Sequence, residues 1–251
     1  MNEKPVVLYT DHSINKTLCY SFAIGSKSPM CHIDNFNDFK NTIATYGYLR
    51  GTGEAIRKAS NFYYIDHGYF KQSQRSFEKN RTVINNLDGY FRVVYNDFWH
   101  NGEGSKSEDR LKKMNLKFNN LNKNGEYIVL SVPTDDAIEY YELKNWVKNT
   151  MEEIKKYSDR KIILHNRASK ISLLDLLDKA WAFVSDHSSA GFMAMQSGVP
   201  AYFTNSTLKK IGSVENIENH EINYSVFNNL AYEQWKIDEI ESGECWQYLS
   251  K

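Results

Sequence analysis

The 251-residue sequence predicts an α/β protein built from two Rossmann-like halves, each doubly wound around a mostly parallel sheet. Three observations carry this. Short strand-like apolar runs alternate with amphipathic ones. Each run breaks into a polar loop before the next helix, and the strand, loop, helix unit recurs in both halves with a weakly patterned stretch between them.

Taken in order, PVVLYT reads as a strand that ends in Asp11, His12 and Ser13. TLCYSFAIGS, rich in aromatic and β-branched residues, reads as a second strand, and a helix is expected from about Asp34. In TIATYGYLRGTGEAIRKA a strand passes through Arg50-Gly51-Thr52-Gly53-Glu54 into an amphipathic helix. NFYYIDHGYF reads as a short strand followed by a loop holding Asp66, His67 and Gly68. From about residue 71 to 126, Asn, Lys, Gly and Ser crowd between short apolar stretches such as YFRVVYNDFW, which marks a boundary.

The second half is cleaner. EYIVLSVP, KIILHN, WAFVS and PAYFT read as strands. YYELKNWVKNTMEEIKKYS reads as one helix, with Trp146, Val147, Met151 and Ile154 at helical spacing. SLLDLLDKA is a helix with Ser172 as N-cap, and SAGFMAMQSG is a helix ended by Gly198. The expected organisation is an N-terminal domain over 1–120, a C-terminal domain over 121–228, and a helical segment over 229–251 that crosses back to the first domain.

Composition sets outer limits. Hydrophobic residues make up 41% and charged residues 25%, the profile of a globular protein rather than a disordered or fibrous one. The apolar run at the N-terminus is far shorter than a signal peptide core or the roughly 20 residues that span a bilayer, so a cytoplasmic protein without membrane contact is expected. Cys19, Cys31 and Cys245 form no CxxC pair, which signals neither a disulfide framework nor a zinc site. The net charge is zero, yet residues 40–92 hold nine basic against four acidic residues, and 215–244 hold eight acidic residues against Lys236 alone. The basic excess suits an anionic partner or a solvated face; the acidic run suits a partner surface.

The stretch WAFVSDHSSAGFMAMQSGVP concentrates polar groups where a strand hands over to a helix. Free amides, the hydroxyls of Ser188 and Ser189 and the helix dipole converge there, an arrangement suited to phosphate; a plain N-cap at either serine is the alternative. Gly191 would permit close approach in the first turn. His187 sits in the same loop, and His165, Arg167 and Lys170, following the upstream strand, would form a cationic rim beside it.

The segment LLDKAWAFVSDHSSAGFMAMQSGVPAYF resembles the donor-binding half of GT-B glycosyltransferases, and ILHNR looks like that family's upstream element, with Asn166 where Pro is common. YIDHGYF, GYFRVVYNDFWH, SDRKIILHNRASK and NLAYEQWKIDEIESGECWQYL together are similar to a group of phage-borne, glycosyltransferase-like proteins. The resemblance implies two halves facing across a cleft, with the diphosphate of a nucleotide sugar, a UDP-sugar in the first instance, held by Ser188 and Ser189 with His187, His165, Arg167 and Lys170 around it. It also implies a metal-independent reaction with no bound cofactor, since helix ends and basic side chains stabilise the departing diphosphate; no DxD is present.

A transferase needs a group to take the acceptor's proton. Asp66 and His67 are the first candidates and Asp11 and His12 the second; the alternative for each pair is a turn Asp beside a structural His. Arg50, Gly51 and Gly53 fall on the acceptor side, and Trp99 and His100 offer rings for stacking. The expected activity is sugar transfer from a nucleotide sugar to a hydroxymethylated pyrimidine in phage DNA, in the host cytoplasm. A non-catalytic nucleotide- or nucleic-acid-binding protein and a transferase with a glycan acceptor are the alternatives. A hydrolase using Ser188 lacks the Gly-x-Ser-x-Gly elbow.

Overall fold

The computed structural model describes residues 3–77 and 83–251, which divide into two compact units, Met1–Trp99 with Tyr232–Lys251, and His100–Ala231. The division falls at residues 99/100 and 231/232, where the sequence pattern suggested 120/121 and 228/229.

The first unit runs β1 (Val6–Tyr9), α1 (Ser13–Ser26), β2 (Met30–His32), β3 (Ile43–Tyr46), α2 (Thr52–Lys58) and β4 (Phe62–His67). A hairpin of β5 (Gln74–Phe77) and β6 (Val83–Asn86) leads to β7 (Phe91–Tyr95). Strands β2, β1, β3 and β4 are parallel in that order; β7 joins β4 antiparallel and carries the C-terminal strand beyond it. Parallel strands lie between layers of helix, so their residues are apolar on both faces. Val7, Tyr63 and Phe91 pack towards Leu18 and Phe22 of α1, while Leu8, Ile43 and Tyr64 pack towards Ala55 and Ile56 of α2.

The second unit runs α3 (Asp109–Met114), β8 (Tyr127–Ser131), α4 (Asp135–Tyr140), α5 (Trp146–Ile154), β9 (Lys161–His165), α6 (Leu173–Leu177), β10 (Ala180–Ser185), α7 (Ala190–Gln196), β11 (Ala201–Phe203) and α8 (Ser225–Ala231). Its sheet is wholly parallel in the order β9, β8, β10, β11. Ile128, Leu130, Val184 and Tyr202 meet Trp146 and Ile154 of α5 in its core. The chain then returns to the first unit as β12 (Gln234–Trp235), α9 (Ile237–Glu241) and α10 (Glu244–Leu249), where Trp235, Ile240 and Cys245 are buried with Phe22 and Tyr63.

Two doubly wound α/β units are therefore present, and several elements differ from the sequence expectation. TLCYSFAIGS is the body of α1, not a strand: Ile14, Leu18 and Phe22 recur every four residues and are buried, and this helical period outweighs the β-propensity of the intervening residues. The helix expected at Asp34 is a single 3₁₀ turn, Ile33–Asn35. Of the helix expected over 140–158, the central part Trp146–Ile154 forms α5; its first residue, Tyr140, ends a separate helix, α4, and Glu142 between them has a φ of 58°, in the left-handed region. Ser172 caps α6 as its position suggests, accepting the Asp175 N–H at 3.2 Å.

Some of the charges in the two biased segments are paired within the fold. Of the basic excess over 40–92, Arg92 is buried against Asp66 and Lys58 pairs with Glu54; Lys79 and Arg81 lie outside the described residues, as does Glu78. In the acidic run, Glu218 pairs with Arg160, Glu233 accepts from Tyr248 and Glu241 accepts from Ser21. All three cysteines are free thiols. No described helix is long and apolar enough to cross a membrane.

Candidate functional site

The parallel strands of both sheets have the same order relative to the chain: the second strand lies outside the first, and the third and fourth lie on its other side. The chain thus reverses direction across the sheet between β1 and β3, and again between β8 and β10. In open α/β sheets ligands bind at the carboxyl ends of the strands flanking such a reversal, because the two following loops diverge there and leave a crevice. This criterion sorts the candidate residues.

In the second unit the loop after β10 is Asp186-His187-Ser188-Ser189, at the reversal. Asp186 is buried, and both its carboxylate oxygens are engaged. Thr204 donates to Oδ1 at 2.7 Å, and His187 Nδ1 lies 2.5 Å from Oδ2. Trp146 Nε1 in turn donates to the Thr204 hydroxyl at 2.6 Å, and the His187 ring lies against Tyr141 with centroids 4.3 Å apart. The start of α5 and the end of β11 therefore fix this loop from two sides.

The serines behave differently from the open helix end expected. The Ser188 amide donates to Ser185 Oγ, the Ala190 amide to Ser188 Oγ, and the Gly191 and Phe192 amides close turns on Ser188 and Ser189. Ser188 thus closes a local turn before α7, whose N-cap position is Ser189. Ser189 is half-buried, and no hydrogen bond to its amide or hydroxyl is made among the described residues. Gly191 serves packing, not ligand approach: a Cβ there would stand 2.5 Å from Phe203 Cζ.

His165 ends β9, and Arg167 and Lys170 follow it; β9 is the sheet edge and is separated from β10 by β8. They share the carboxyl edge with the Asp186 loop but begin about 10 Å along it, two strand spacings away, rather than beside it. Arg167 and Lys170 are exposed, and neither makes an ion pair among the described residues.

In the first unit the reversal lies between the loop after β1, which carries Asp11 and His12, and the loop after β3, which carries Arg50 and Gly51. Asn15, in the first turn of α1, was not marked by any sequence motif, yet it ties the two loops together: its carbonyl accepts the Thr10 N–H at 2.7 Å and its amide donates to Tyr46 O at 2.8 Å. Arg50 and Gly51 both have positive φ, 61° and 86°, which turns the loop sharply into α2; Gly53 is inside that helix. Asp11 is 91% exposed at its side chain, and His32 at the end of β2 stands beside it, a residue the sequence did not single out.

Asp66 and His67 are the last two residues of β4, not a loop, and β3 separates them from β1. Asp66 accepts Arg92 Nη2 at 3.0 Å, the Tyr64 hydroxyl at 2.9 Å and the His67 N–H at 2.7 Å. Burial pushes its carboxyl upwards, but the Arg92 charge, then His67 and the two hydrogen bonds outweigh this and hold it below the usual carboxylate range. His67 has both ring nitrogens in contact with hydroxyls, Ser73 at 3.0 Å and Tyr46 at 3.1 Å, and stacks on Phe91. A carboxylate held this way is a weak base, and the pair's contacts are those of a strand-end brace. Trp99 is likewise occupied, buried with the Arg92 guanidinium 3.7 Å from its ring centroid. Among the described residues no group of three His, Cys, Asp or Glu is placed to hold a metal ion.

No protein-family model matches the sequence, and no curated protein matches it significantly. Among solved structures the chain is similar to KpsC of Thermosulfurimonas dismutans, a beta Kdo 2,4 transferase, with 10% identity over 92% of this chain and 90% of that one and a TM-score of 0.48.

Proposed function

We propose that the protein is a nucleotide-sugar-dependent glycosyltransferase whose second unit holds the donor phosphates and whose first unit supplies the base. The observation that carries this is the position of Asp186-His187-Ser188-Ser189 at the strand-order reversal of a wholly parallel sheet, in the segment that resembles GT-B donor domains. Ser189 offers an amide and a hydroxyl to a phosphate oxygen, His187 lies beside it, and His165, Arg167 and Lys170 line the same sheet edge further out. Asp11, exposed after β1 at the strand-order reversal of the first unit, is the carboxylate we assign as the base, with His12 in the same loop and Arg50 and Gly51 in the loop after β3.

The donor is a UDP-sugar and the acceptor a hydroxymethylated pyrimidine in DNA, with a glycan as the competing acceptor. Incubation with UDP-glucose, UDP-galactose and UDP-N-acetylglucosamine, each with hydroxymethylcytosine duplex DNA or with an oligosaccharide mixture, tests both levels by mass spectrometry of the products. Ser189→Asp sets a carboxylate against the phosphate and is expected to weaken UDP binding by at least about tenfold, read by calorimetry. Asp11→Asn is expected to abolish transfer while leaving UDP binding intact. UDP binding without transfer to any acceptor would favour a non-catalytic binding module.

A further inference from the structure

His220 lies in the segment that joins β11 to α8 and forms one end of a three-part stack within the second unit. The Trp181 indole, near the start of β10, has the His220 ring almost parallel to it, centroids 3.5 Å apart at 16°, and the Arg160 guanidinium 3.7 Å from its ring centroid. Groups that close can only occupy opposite faces, so the imidazole and the guanidinium sandwich the indole. His220 is 8% exposed. Its Nε2 stands 2.7 Å from the Asn122 carbonyl, which can only accept, so Nε2 carries the proton of the neutral ring. Nδ1 is buried and makes no hydrogen bond among the described residues.

The Nε2 contact reaches beyond the segment. Asn122 donates its backbone N–H to Gly198 O at 2.9 Å and its side-chain amide to the carbonyls of Asp178 and Ala180, so the residue that His220 grips ties the chain before β8 to the end of α7 and to β10. Trp181 Nε1 donates to Ile217 O at 3.1 Å, a second tie on the same segment. His220 itself has a φ of 55°, a left-handed conformation that a residue with a Cβ keeps only while its surroundings hold it.

We propose that His220 is an acid-sensitive latch: with the ring neutral, residues 217–223 are closed on β10, and a second proton on the ring releases them while the sheet stays folded. That proton must go to Nδ1, a buried nitrogen without a hydrogen-bond partner, and it makes the imidazole a cation across the indole from Arg160. The charged groups that act on the ring are Arg160, just before β9, and Glu218, from the same segment, which Arg160 engages at 3.2 Å. Glu221, the next residue, is exposed, and Tyr202 of β11, beside the His220 backbone, is a neutral phenol pushed up to about 12 chiefly by burial. Burial holds the imidazole below its ordinary range and the Arg160 charge adds to this, against the backbone contacts with Asn122 and Trp181 and the Glu218 charge. The closed form therefore binds fewer protons than the open one, so the latch is intact above the ordinary histidine range and weakens as pH falls through it. It lies wholly within the second unit and does not depend on sugar transfer.

Hydrogen exchange of the intact protein from about pH 7.5 to 5, read by NMR and corrected for intrinsic rates, tests the latch. An open-state histidine titrating near 6.5 limits the effect to about 30-fold over that interval. Protection of the Trp181 indole N–H and the Ile217 amide is expected to fall about 10- to 30-fold, while that of the β8 amides stays constant. His220→Asn, which tolerates the left-handed backbone and does not titrate, is expected to make protection independent of pH. Wild-type protection that is constant down to pH 5 overturns the proposal, as does a parallel loss in β8, which means global unfolding, or an Nδ1–H tautomer in the ¹⁵N spectrum of the neutral ring. A His220→Asn protein with the wild-type pH dependence overturns it too, and the wild-type readouts decide the matter if that variant does not fold.

Discussion

At the residue scale, Asp66 at the end of β4 is held by the buried Arg92. The guanidinium donates to Asp66, to the carbonyl of His67 and, through Nε at 2.9 Å, to that of Phe98, so one buried cation braces the end of β4 against the loop after β7. Removing it with Arg92→Leu strands a partly buried carboxylate and is expected to cost about 3 to 5 kcal/mol, measured by urea denaturation. The pH dependence has a definite sign. The folded carboxyl sits below its unfolded value, so its contribution is complete above the ordinary carboxylate range and is lost as pH falls through the folded value. The stability gap between wild type and Asp66→Asn is therefore expected to close as pH drops below about 4. Nothing in YIDHGYF distinguishes this Asp from a base, because its partner is 26 residues away and reaches it only through the antiparallel pairing of β4 with β7.

At the scale of the element, end signals were more legible than element type. Ser172 stands one residue before α6 with its hydroxyl on the Asp175 amide, and Ser172→Ala is expected to cost about 1 kcal/mol in thermal denaturation. Gly198, at φ 83°, ends the α7 segment as its place before Val-Pro suggests. Both signals are local, requiring only neighbours along the chain. The type of α1 is not local in that sense. Thr17, Cys19, Tyr20 and Phe22 favour a strand individually, and the helix is decided by which of its faces finds Tyr63 and the C-terminal helices to cover it. Gly191 has the same lesson: its need for a missing Cβ comes from Phe203, a strand away, and not from a ligand.

At the scale of the whole molecule, each unit has its own sheet and core, but the first is assembled from both ends of the chain. Trp235, Ile240 and Cys245 are fully or almost fully buried among Phe22 and Tyr63, so the last 20 residues complete the first core. A chain ending at Ala231 is expected to retain the cooperative unfolding of the second unit and to lose that of the first, giving a reduced calorimetric enthalpy and a proteolytic core that begins near His100. The strand-order reversal is likewise a property of the assembled sheets. It places Asp11, His12, Arg50 and Gly51 at one reversal and Asp186 to Ser189 at another, and sends Asp66, His67 and the His165 group to other strands.

The sequence by itself determined the α/β alternation, the strand ends that carry polar residues, and the Asp-His-Ser-Ser loop, because hydrophobic period and turn chemistry act between neighbours in the chain. Only the tertiary structure decided which strand ends adjoin, that Asp66 is tied to Arg92, and that His32 comes to stand beside Asp11. Strand order and cross-strand partners arise from contacts between residues distant in sequence, and those contacts exist only once the sheets have closed.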